Sequence, residues 1–551
     1  MPDRPTRVRS VAAHLLTALA GLLVLVALVV PAEAGALAPA AFVRIPVEGL
    51  VGVALLLVLP GRARRVAAVL AGVALGLLAV LKVVDIGFSA VLARPFDPLS
   101  DAALLDAGVQ FLTGSIGRAG ALGTAAGAVV LAGALVVLTT LAVRRLTRLA
   151  VRHRAPTART TAALTPVWVA CAVLGTQLVP GVPVASASAA ALVRDHALQV
   201  RDGVADREAF AAALAVDPFR DTPADRLLTA LRGKDVVFAF VESYGRDAVE
   251  DPAFAPRIGA VLGEGTRRLG AAGFSARSAF LTSSTTGGGS WLAHATFLSG
   301  MWVDDQHRHD TLVTSDRLTL TSAFRDAGWR TVAVMPGTTG EWPEAAFYGY
   351  DEVYDFPRLG YRGPDLGWAT VPDQFTLAAF ERAEHGRAGR PPLMAEIAFV
   401  SSHAPWPLIP RVLAWDAVGD GSVFHTMTTG EPREAVWAKG PEAVRDTYRR
   451  SVEYSLNSLV SWVETYGDDD LVLVVLGDHQ PLPAVTGEGA SHDVPITVVA
   501  RDPTVLERIG GWGWHEGLRP GPQAPVWPMD AFRDRFLTAF GPHGAPPRPP
   551  H

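Results

Sequence analysis

Three apolar runs of this 551-residue chain end in polar groups that could do chemistry. Glu242 follows VVFAFV, His403 follows AEIAFVSS, and the pair Asp478 and His479 follows LVLVVLG. Burying a carboxylate or an imidazole at the end of an interior strand is costly unless something pairs with it. Strand ends are also where open α/β sheets place their ligands.

A metal ion suits these groups. Two carboxylates, an imidazole and a hydroxyl form an oxygen-rich set that predicts one divalent ion, Mn²⁺ or Mg²⁺ in preference to Zn²⁺. We expect Glu242, Asp478 and His479 to be ligands. The single cysteine, Cys171, excludes a disulfide framework and a cysteine-built metal site.

The hydroxyl comes from residues 282–300, TSSTTGGGSWLAHATFLSG, in which Ser290 follows three glycines and opens a helical stretch. Glycines let backbone approach a ligand, and a helix N-terminus stabilises an anion. Alone, Ser290 would be a helix cap; beside the predicted metal ligands, we favour a nucleophile that is also a ligand. We expect His294 to pack against its neighbours, although its position one turn later could reach the site, and His307 and His309 to be solvated loop residues.

The elements that position these residues begin near residue 235. Short β-rich runs alternate there with amphipathic helical stretches such as 316–328 and 442–465, which predicts an α/β domain around a mostly parallel sheet. The carboxyl ends of parallel strands meet at one edge of a sheet. We therefore expect the polar groups at the strand ends to converge there.

The first third of the chain is apolar and predicts a helical membrane domain of about five spans, since a span needs about 20 residues. The second stretch is short and contains Pro46 and Glu48, whose carboxylate could face either the bundle interior or the interface. The stretches are 11–31, 45–60, 66–88, 119–143 and 163–183.

Arginines cluster before the first stretch and in alternate loops, as at 62–65 and 144–159. The positive-inside rule then predicts a multi-pass protein with a cytoplasmic N-terminus and an extracytoplasmic domain after about residue 185. The net charge of −5 implies no bulk attraction to nucleic acid. The expected divisions are a membrane domain at 1–185, a helical connector at 186–234, the catalytic domain at 235–540 and a disordered tail at 541–551.

These motifs resemble the alkaline phosphatase/sulfatase superfamily, and within it the lipoteichoic acid synthase-like membrane phosphoglycerol and phosphoethanolamine transferases. FVESYG is similar to the first metal-ligand strand, and LGDHQP to the Asp-His ligand pair. Ser290 lies ten residues before the glycine of LSG, the spacing seen between the sulfatase nucleophile and LTG. SSHAPW resembles the segment with a substrate-side histidine, here His403, and GEWPEAAFYGYDEVYDF the stretch with a substrate-contacting tryptophan, here Trp342.

The chain also departs from these families. Leu292 and His294 stand where sulfatases require proline and arginine, so we do not expect sulfatase chemistry. The nucleophile is serine where the transferases usually have threonine, and the histidine and arginine that flank the tryptophan in teichoic acid enzymes are missing. Residues 407–445 resemble a divergent insertion that could shape the acceptor site.

The resemblance implies a transferase that moves a phospho-alcohol group, phosphoglycerol-like, from a membrane lipid to an envelope glycan or lipid through a phospho-serine. Ser290 would attack phosphorus, and His403 would protonate the leaving oxygen or hold the phosphate. His492 would contact the phosphate, or be an ordinary loop residue. Two alternatives stay open: an extracytoplasmic phosphodiesterase or phosphatase of the same fold, and a non-catalytic membrane binding protein. The five predicted spans favour transfer, because they exceed what an anchor needs.

Overall fold

The computed structural model describes residues 4–32, 39–364, 366, 371–406, 409–427, 433–487 and 489–542. It divides into two compact units, one of Met1–Ala90 with Arg94–Ala205 and one of Val91–Ala93 with Asp206–His551. The expected tail at 541–551 lies outside the described residues from 543 onwards, and parts of the expected insertion at 407–445 do so as well.

The N-terminal unit consists mainly of apolar helices. Four of the described helices are long and apolar enough to cross a membrane, namely Val11–Val29, Gly61–Leu92, Gly117–Arg152 and Arg154–Leu174. The full bounds are α1 Arg4–Val29, α2 Val47–Val58, α3 Gly61–Leu92, α4 Ala102–Arg152, α5 Arg154–Leu174 and α6 Ser188–Leu214, with short strands β1 Ile45–Pro46, β2 Gln177–Val179, β3 Val182–Pro183 and β4 Ala185–Ser186.

The predicted stretches differ from these helices in three places. The fifth stretch was expected to reach residue 183, but α5 ends at Leu174 because Gly175 adopts a left-handed conformation (φ 62°), and β2 and β3 follow as a hairpin. The arginines expected in a loop at 144–159 continue the helices α4 and α5. Helix α2 rises only about 18 Å, less than the roughly 30 Å of a bilayer core.

The second unit is built on a nine-stranded sheet of the described residues, with the order β12-β6-β11-β10-β5-β9-β7-β8 and with β13 beside β6. Strands β10, β5, β9, β7 and β8 are mutually parallel, whereas β11 is antiparallel to both β10 and β6. The bounds are β5 Asp235–Val241, β6 Ser275–Thr282, β7 Arg330–Met335, β8 Glu352–Asp355, β9 Leu393–Phe399, β10 Leu471–Gly477, β11 Asp493–Ala500, β12 His515–Glu516 and β13 Val526–Pro528.

The central strands are almost entirely apolar because helices cover both faces of the sheet. Every residue of β5 and β10 is buried. In β5, Val237, Ala239 and Val241 enter one apolar core, and Val236, Phe238 and Phe240 enter the other. This is the burial pattern of a parallel sheet inside an α/β domain.

The prediction of an α/β domain around a mostly parallel sheet is confirmed. The stretch expected to be helical at 316–328 forms a shorter helix, because the side chain of Thr319 caps its first turn in a reciprocal capping box. The helices are α7 Arg246–Glu250, α8 Ala255–Ala271, α9 Ser290–Ser299, α10 Gln306–Val313, α11 Leu320–Asp326, α12 Ala345–Tyr348, α13 Phe356–Leu359, α14 Asp373–Phe380, α15 Trp415–Val418, α16 Arg433–Ala438, α17 Pro441–Tyr466, α18 Pro483–Thr486, α19 Pro503–Arg508 and α20 Ala531–Phe540.

Candidate metal-binding active site

The carboxyl ends of two neighbouring strands bring three potential ligands together. Glu242 follows β5 directly and Asp478 and His479 follow β10, and the two strands are paired in parallel with Gly477 opposite Val241. One ligand atom from each of these three buried residues lies within 4.8 Å of the others. The convergence follows from the shared direction of the strands.

Ser290 is the first residue of α9 and points at this group. Its Oγ donates to Glu242 Oε2 at 3.0 Å and lies 3.2 Å from His479 Nε2. Gly289 precedes it with φ 80°, a left-handed conformation that favours glycine, and this turn delivers the chain into the helix. The hydroxyl therefore shares one location with the three potential ligands and the amino end of a helix.

Ser243, which sequence reasoning did not select, connects the two ligand strands. Its backbone nitrogen donates to Asp478 Oδ1 at 2.7 Å, its Oγ donates to Glu242 Oε1 at 2.7 Å, and its carbonyl accepts from the hydroxyl of Tyr448 at 2.8 Å. Ser243 is left-handed (φ 54°), which costs about 1 kcal/mol for a residue with a side chain. The three hydrogen bonds offset this strain, and the two that Ser243 donates hold both carboxylates in place.

The surroundings shift the pKa values of the two carboxylates in opposite directions. Burial raises the pKa of Glu242, but the charges of His403 and His479 and the hydrogen bond from Ser243 outweigh burial and lower it to about 2. Burial and the neighbouring charge of Glu242 raise the pKa of Asp478 to about 6. For His479, burial lowers the pKa, yet the two carboxylates outweigh it and raise the pKa overall.

The donor set fits a divalent cation. His479 Nδ1 donates to the carbonyl of Gln480 at 2.8 Å, which leaves the lone pair of Nε2 facing the carboxylates. Asp478 Oδ1 accepts from the backbone nitrogens of Ser243 and His479, while Oδ2 lies 3.5 Å from His479 Nε2. Two crowded, buried carboxylates beside one imidazole are stabilised by a cation between them. The set contains no thiolate.

A cavity of about 480 Å³ opens beside the candidate ligands. Ser290, His403 and Trp342 line it together. The Nδ1 atom of His403 donates to the carbonyl of Ala404 at 2.5 Å. The side chain of His492 is exposed and is not among the described residues that line the cavity, while its carbonyl accepts from the backbone nitrogen of Ser283. The structure thus brings the sequence-selected residues together with the exception of His492.

His307 and His309, both expected in a solvated loop, lie instead in the helix α10, where His307 is half-buried. His309 was expected in a solvated loop, and that expectation is wrong: it is buried in α10, lies 3.3 Å from the hydroxyl of Tyr348, and has its pKa lowered by burial. His294 does pack as expected, with its ring stacked on Phe240, but it also lines the cavity.

Glu396 and Tyr350 are further cavity residues that sequence reasoning missed. Glu396 is buried within β9, accepts from His294 Nδ1 at 2.7 Å, and accepts from the hydroxyl of Tyr350. A signal did exist for Glu396, since a carboxylate in the middle of the apolar run LMAEIAFV is rarely buried without a partner.

A family model described as Sulfatase matches residues 235–495. These residues cover the strands from β5 to the start of β11 and all four converging side chains. The family depends on divalent metals, in agreement with the donor set. A search of curated proteins gives no match.

Several solved structures are similar to this chain at low sequence identity and low TM-score. The lipoteichoic acid synthase LtaP from Listeria monocytogenes is 14% identical over 57% of this chain and 74% of that chain, with a TM-score of 0.37. The Streptococcus pyogenes phosphoglycerol transferase GacH, in complex with sn-glycerol-1-phosphate, is 13% identical over 53% and 74% (TM-score 0.34). The C-terminal periplasmic domain of EcEptC from Escherichia coli, in complex with Zn, is 13% identical over 48% and 72% (TM-score 0.32).

Proposed function

We propose that this chain is a membrane phospho-alcohol transferase. Its residues 235–495 match the sulfatase family of the alkaline phosphatase superfamily, whose members are phosphotransferases and hydrolases, so the chain is an enzyme. It moves a phosphoglycerol-like group from a lipid donor to an envelope glycan or lipid. The observation that carries this proposal is the position of the Ser290 hydroxyl, 3.0 Å from Glu242 and 3.2 Å from His479.

The proposed ion is Mn²⁺ or Mg²⁺, held by Glu242, Asp478, His479 and the oxygen of Ser290. When bound, such an ion lowers the pKa of a coordinated hydroxyl and neutralises phosphoryl oxygens. Residues of the chain bind the phosphoryl group and provide the nucleophile. The first backbone N–H groups of α9 face the incoming phosphoryl group and favour its negative charge.

Ser290 attacks phosphorus in line and forms a phospho-serine that the acceptor alcohol then resolves. His403 holds the phosphoryl group or protonates the leaving oxygen, and Trp342, which lines the same cavity, contacts the transferred headgroup. His492 is exposed just before β11 and is not among the described residues that line the cavity. Its proposed role is to contact a part of the substrate that extends beyond the cavity.

Transfer is proposed over hydrolysis because the apolar helices exceed the single helix that an anchor needs. A lipid donor would then be confined to the membrane in which those helices lie. The hydrolase alternative uses the same serine chemistry with water as the acceptor. The proposal places the catalytic domain on the extracytoplasmic side.

The test uses the full chain in lipid nanodiscs with headgroup-labelled phospholipids and Mn²⁺. Ser290→Ala is expected to lose turnover by several orders of magnitude, because removal of a nucleophile leaves only binding and positioning. Mass spectrometry on wild-type protein trapped with donor is expected to find the added phospho-alcohol on the peptide that contains Ser290.

Thr285 and Thr286 are the nearest rival nucleophiles, since both are buried and neither hydroxyl has a hydrogen-bond partner among the described residues. Thr285→Val and Thr286→Val serve as matched variants and are expected to form the adduct. An adduct on either threonine, or most of the activity surviving in Ser290→Ala, would overturn the assignment. Label released only to water would select the hydrolase.

A further inference from the structure

The two ring nitrogens of His294 have different environments. Nδ1 lies 2.7 Å from Glu396 Oε1 and donates to it. Nε2 has no hydrogen-bond partner among the described residues, and the side chain, 12% exposed, lines the cavity that also contains Ser290. One nitrogen is therefore anchored in the protein, and the other is available to a bound molecule.

The ring is held in place by Phe240 and by Glu396. It stacks on Phe240, with ring centroids 3.8 Å apart and an interplanar angle of 18°. The carboxylate that it contacts is fixed in turn, because Glu396 belongs to the interior strand β9, is 1% exposed and accepts a second hydrogen bond from the hydroxyl of Tyr350. A carboxylate that orients an imidazole in this way sets which nitrogen faces the reaction.

His294 is also placed for the chemistry. It lies four residues after Ser290 in α9, and side chains at this spacing are neighbours, with Cβ atoms about 5–6 Å apart on one helix face. Charged groups near it include Glu396 on β9 and Asp478 beyond β10. An alcohol oxygen on a phosphoryl group attacked by Ser290 would lie within reach of the same face.

We propose that His294 carries the proton of the alcohol oxygen in both halves of the reaction, with Glu396 and Tyr350 as positioning residues. The proposal rests on the proposed function and deepens it. It assigns proton transfer to His294 and leaves His403 to hold the phosphoryl group.

Both half-reactions balance. Ser290 enters as the alkoxide, its Oγ–P bond forms, the bond from phosphorus to the donor oxygen breaks, and that oxygen takes the proton from Nε2. In the second half the acceptor O–H gives its proton to Nε2, the acceptor oxygen bonds to phosphorus, and the Oγ–P bond breaks. The Nδ1 proton stays on the ring beside Glu396 throughout.

The test compares two leaving groups on the full chain with Mn²⁺. Headgroup-labelled phospholipid has an alkoxide leaving group that needs a proton, whereas bis(p-nitrophenyl) phosphate releases a stable anion that does not. His294→Gln is expected to lose about 10²–10⁴-fold in kcat with the lipid, the usual contribution of general acid–base catalysis, and less than about tenfold with the nitrophenyl ester. Glu396→Gln and Tyr350→Phe are expected to show smaller losses with the same preference.

His515→Gln is the matched control, because His515 lies in the edge strand β12 and its Nδ1 accepts from the backbone nitrogen of Gly521. Equal losses on both esters for His294→Gln, or no loss on the lipid, would overturn the inference. If His294→Gln does not fold, the leaving-group preference of Tyr350→Phe decides in its place. Wild-type protein inactive on both esters would instead refute the proposed function.

Discussion

The Asp478→Asn variant tests whether two adjacent buried carboxylates lower the free energy of unfolding of the metal-free protein. In the metal-free protein, burial and the charge of Glu242 raise the pKa of Asp478 from 3.8 to about 6. At about 1.4 kcal/mol for each pKa unit, this difference corresponds to a cost of at most about 3 kcal/mol for the ionised form in the folded state. Asparagine keeps the oxygen that accepts from Ser243 and His479 and removes the charge.

The sign of the stability change follows from the linkage between protonation of Asp478 and folding. A carboxyl whose pKa is higher folded than unfolded destabilises the fold above its folded pKa, and the effect disappears as the pH falls below the unfolded value. Metal-free Asp478→Asn is therefore expected to be more stable than wild type by up to about 3 kcal/mol at pH 8, and by little at pH 4. Glu242, with its pKa lowered to about 2, acts in the opposite direction, but it is present in both proteins.

The assay is thermal unfolding of the full chain in detergent with a chelator, from pH 4 to pH 8. Saturating Mn²⁺ is expected to reverse the order, because an ion at about 1,000 times its Kd stabilises the wild type by about 4.1 kcal/mol, more than the variant gains without metal, and the variant lacks a ligand. Asp469→Asn, a side chain 81% exposed, is the control. If metal-free Asp478→Asn is less stable than wild type at every pH, the argument from crowded carboxylates is wrong.

Three further outcomes are expected. Chelation should abolish activity, and Mn²⁺ or Mg²⁺ should restore it; full recovery with Zn²⁺ alone would contradict the choice of an oxygen-preferring ion. Asp217→Asn should lower stability by about 3–5 kcal/mol in thermal unfolding, because it removes the buried carboxylate from the fully buried side chain of Arg533 and leaves it only the partly exposed Asp534 as a counter-charge, whereas exposed Asp316→Asn should cost less than about 1 kcal/mol. A reporter active only outside the membrane should give signal when fused after Asp221 and none when fused at His153; the reverse pattern would invert the topology.

Most of the catalytic fold and much of the site could be predicted from local patterns. The runs that became β5, β9 and β10 are apolar at every position or nearly so, as strands covered on both faces must be. Parallel neighbours share a direction, so Glu242 and Asp478 had to emerge at the same edge of the sheet. Strands β6, β8, β12 and β13 escaped prediction, because β6 begins polar and the other three span only two to four residues.

The sequence by itself determined which residues could bind an ion, since residue type, the strand before each of them and the glycines before Ser290 are all local. Only the tertiary structure decided which distant side chains meet. Glu396 lies 102 residues from His294 and 46 from Tyr350, and their pairing depends on where β9 falls in the sheet order and how α9 packs against it. The physical reason is that periodicity records which face of an element is buried, whereas a hydrogen bond between elements depends on the registry of both partners.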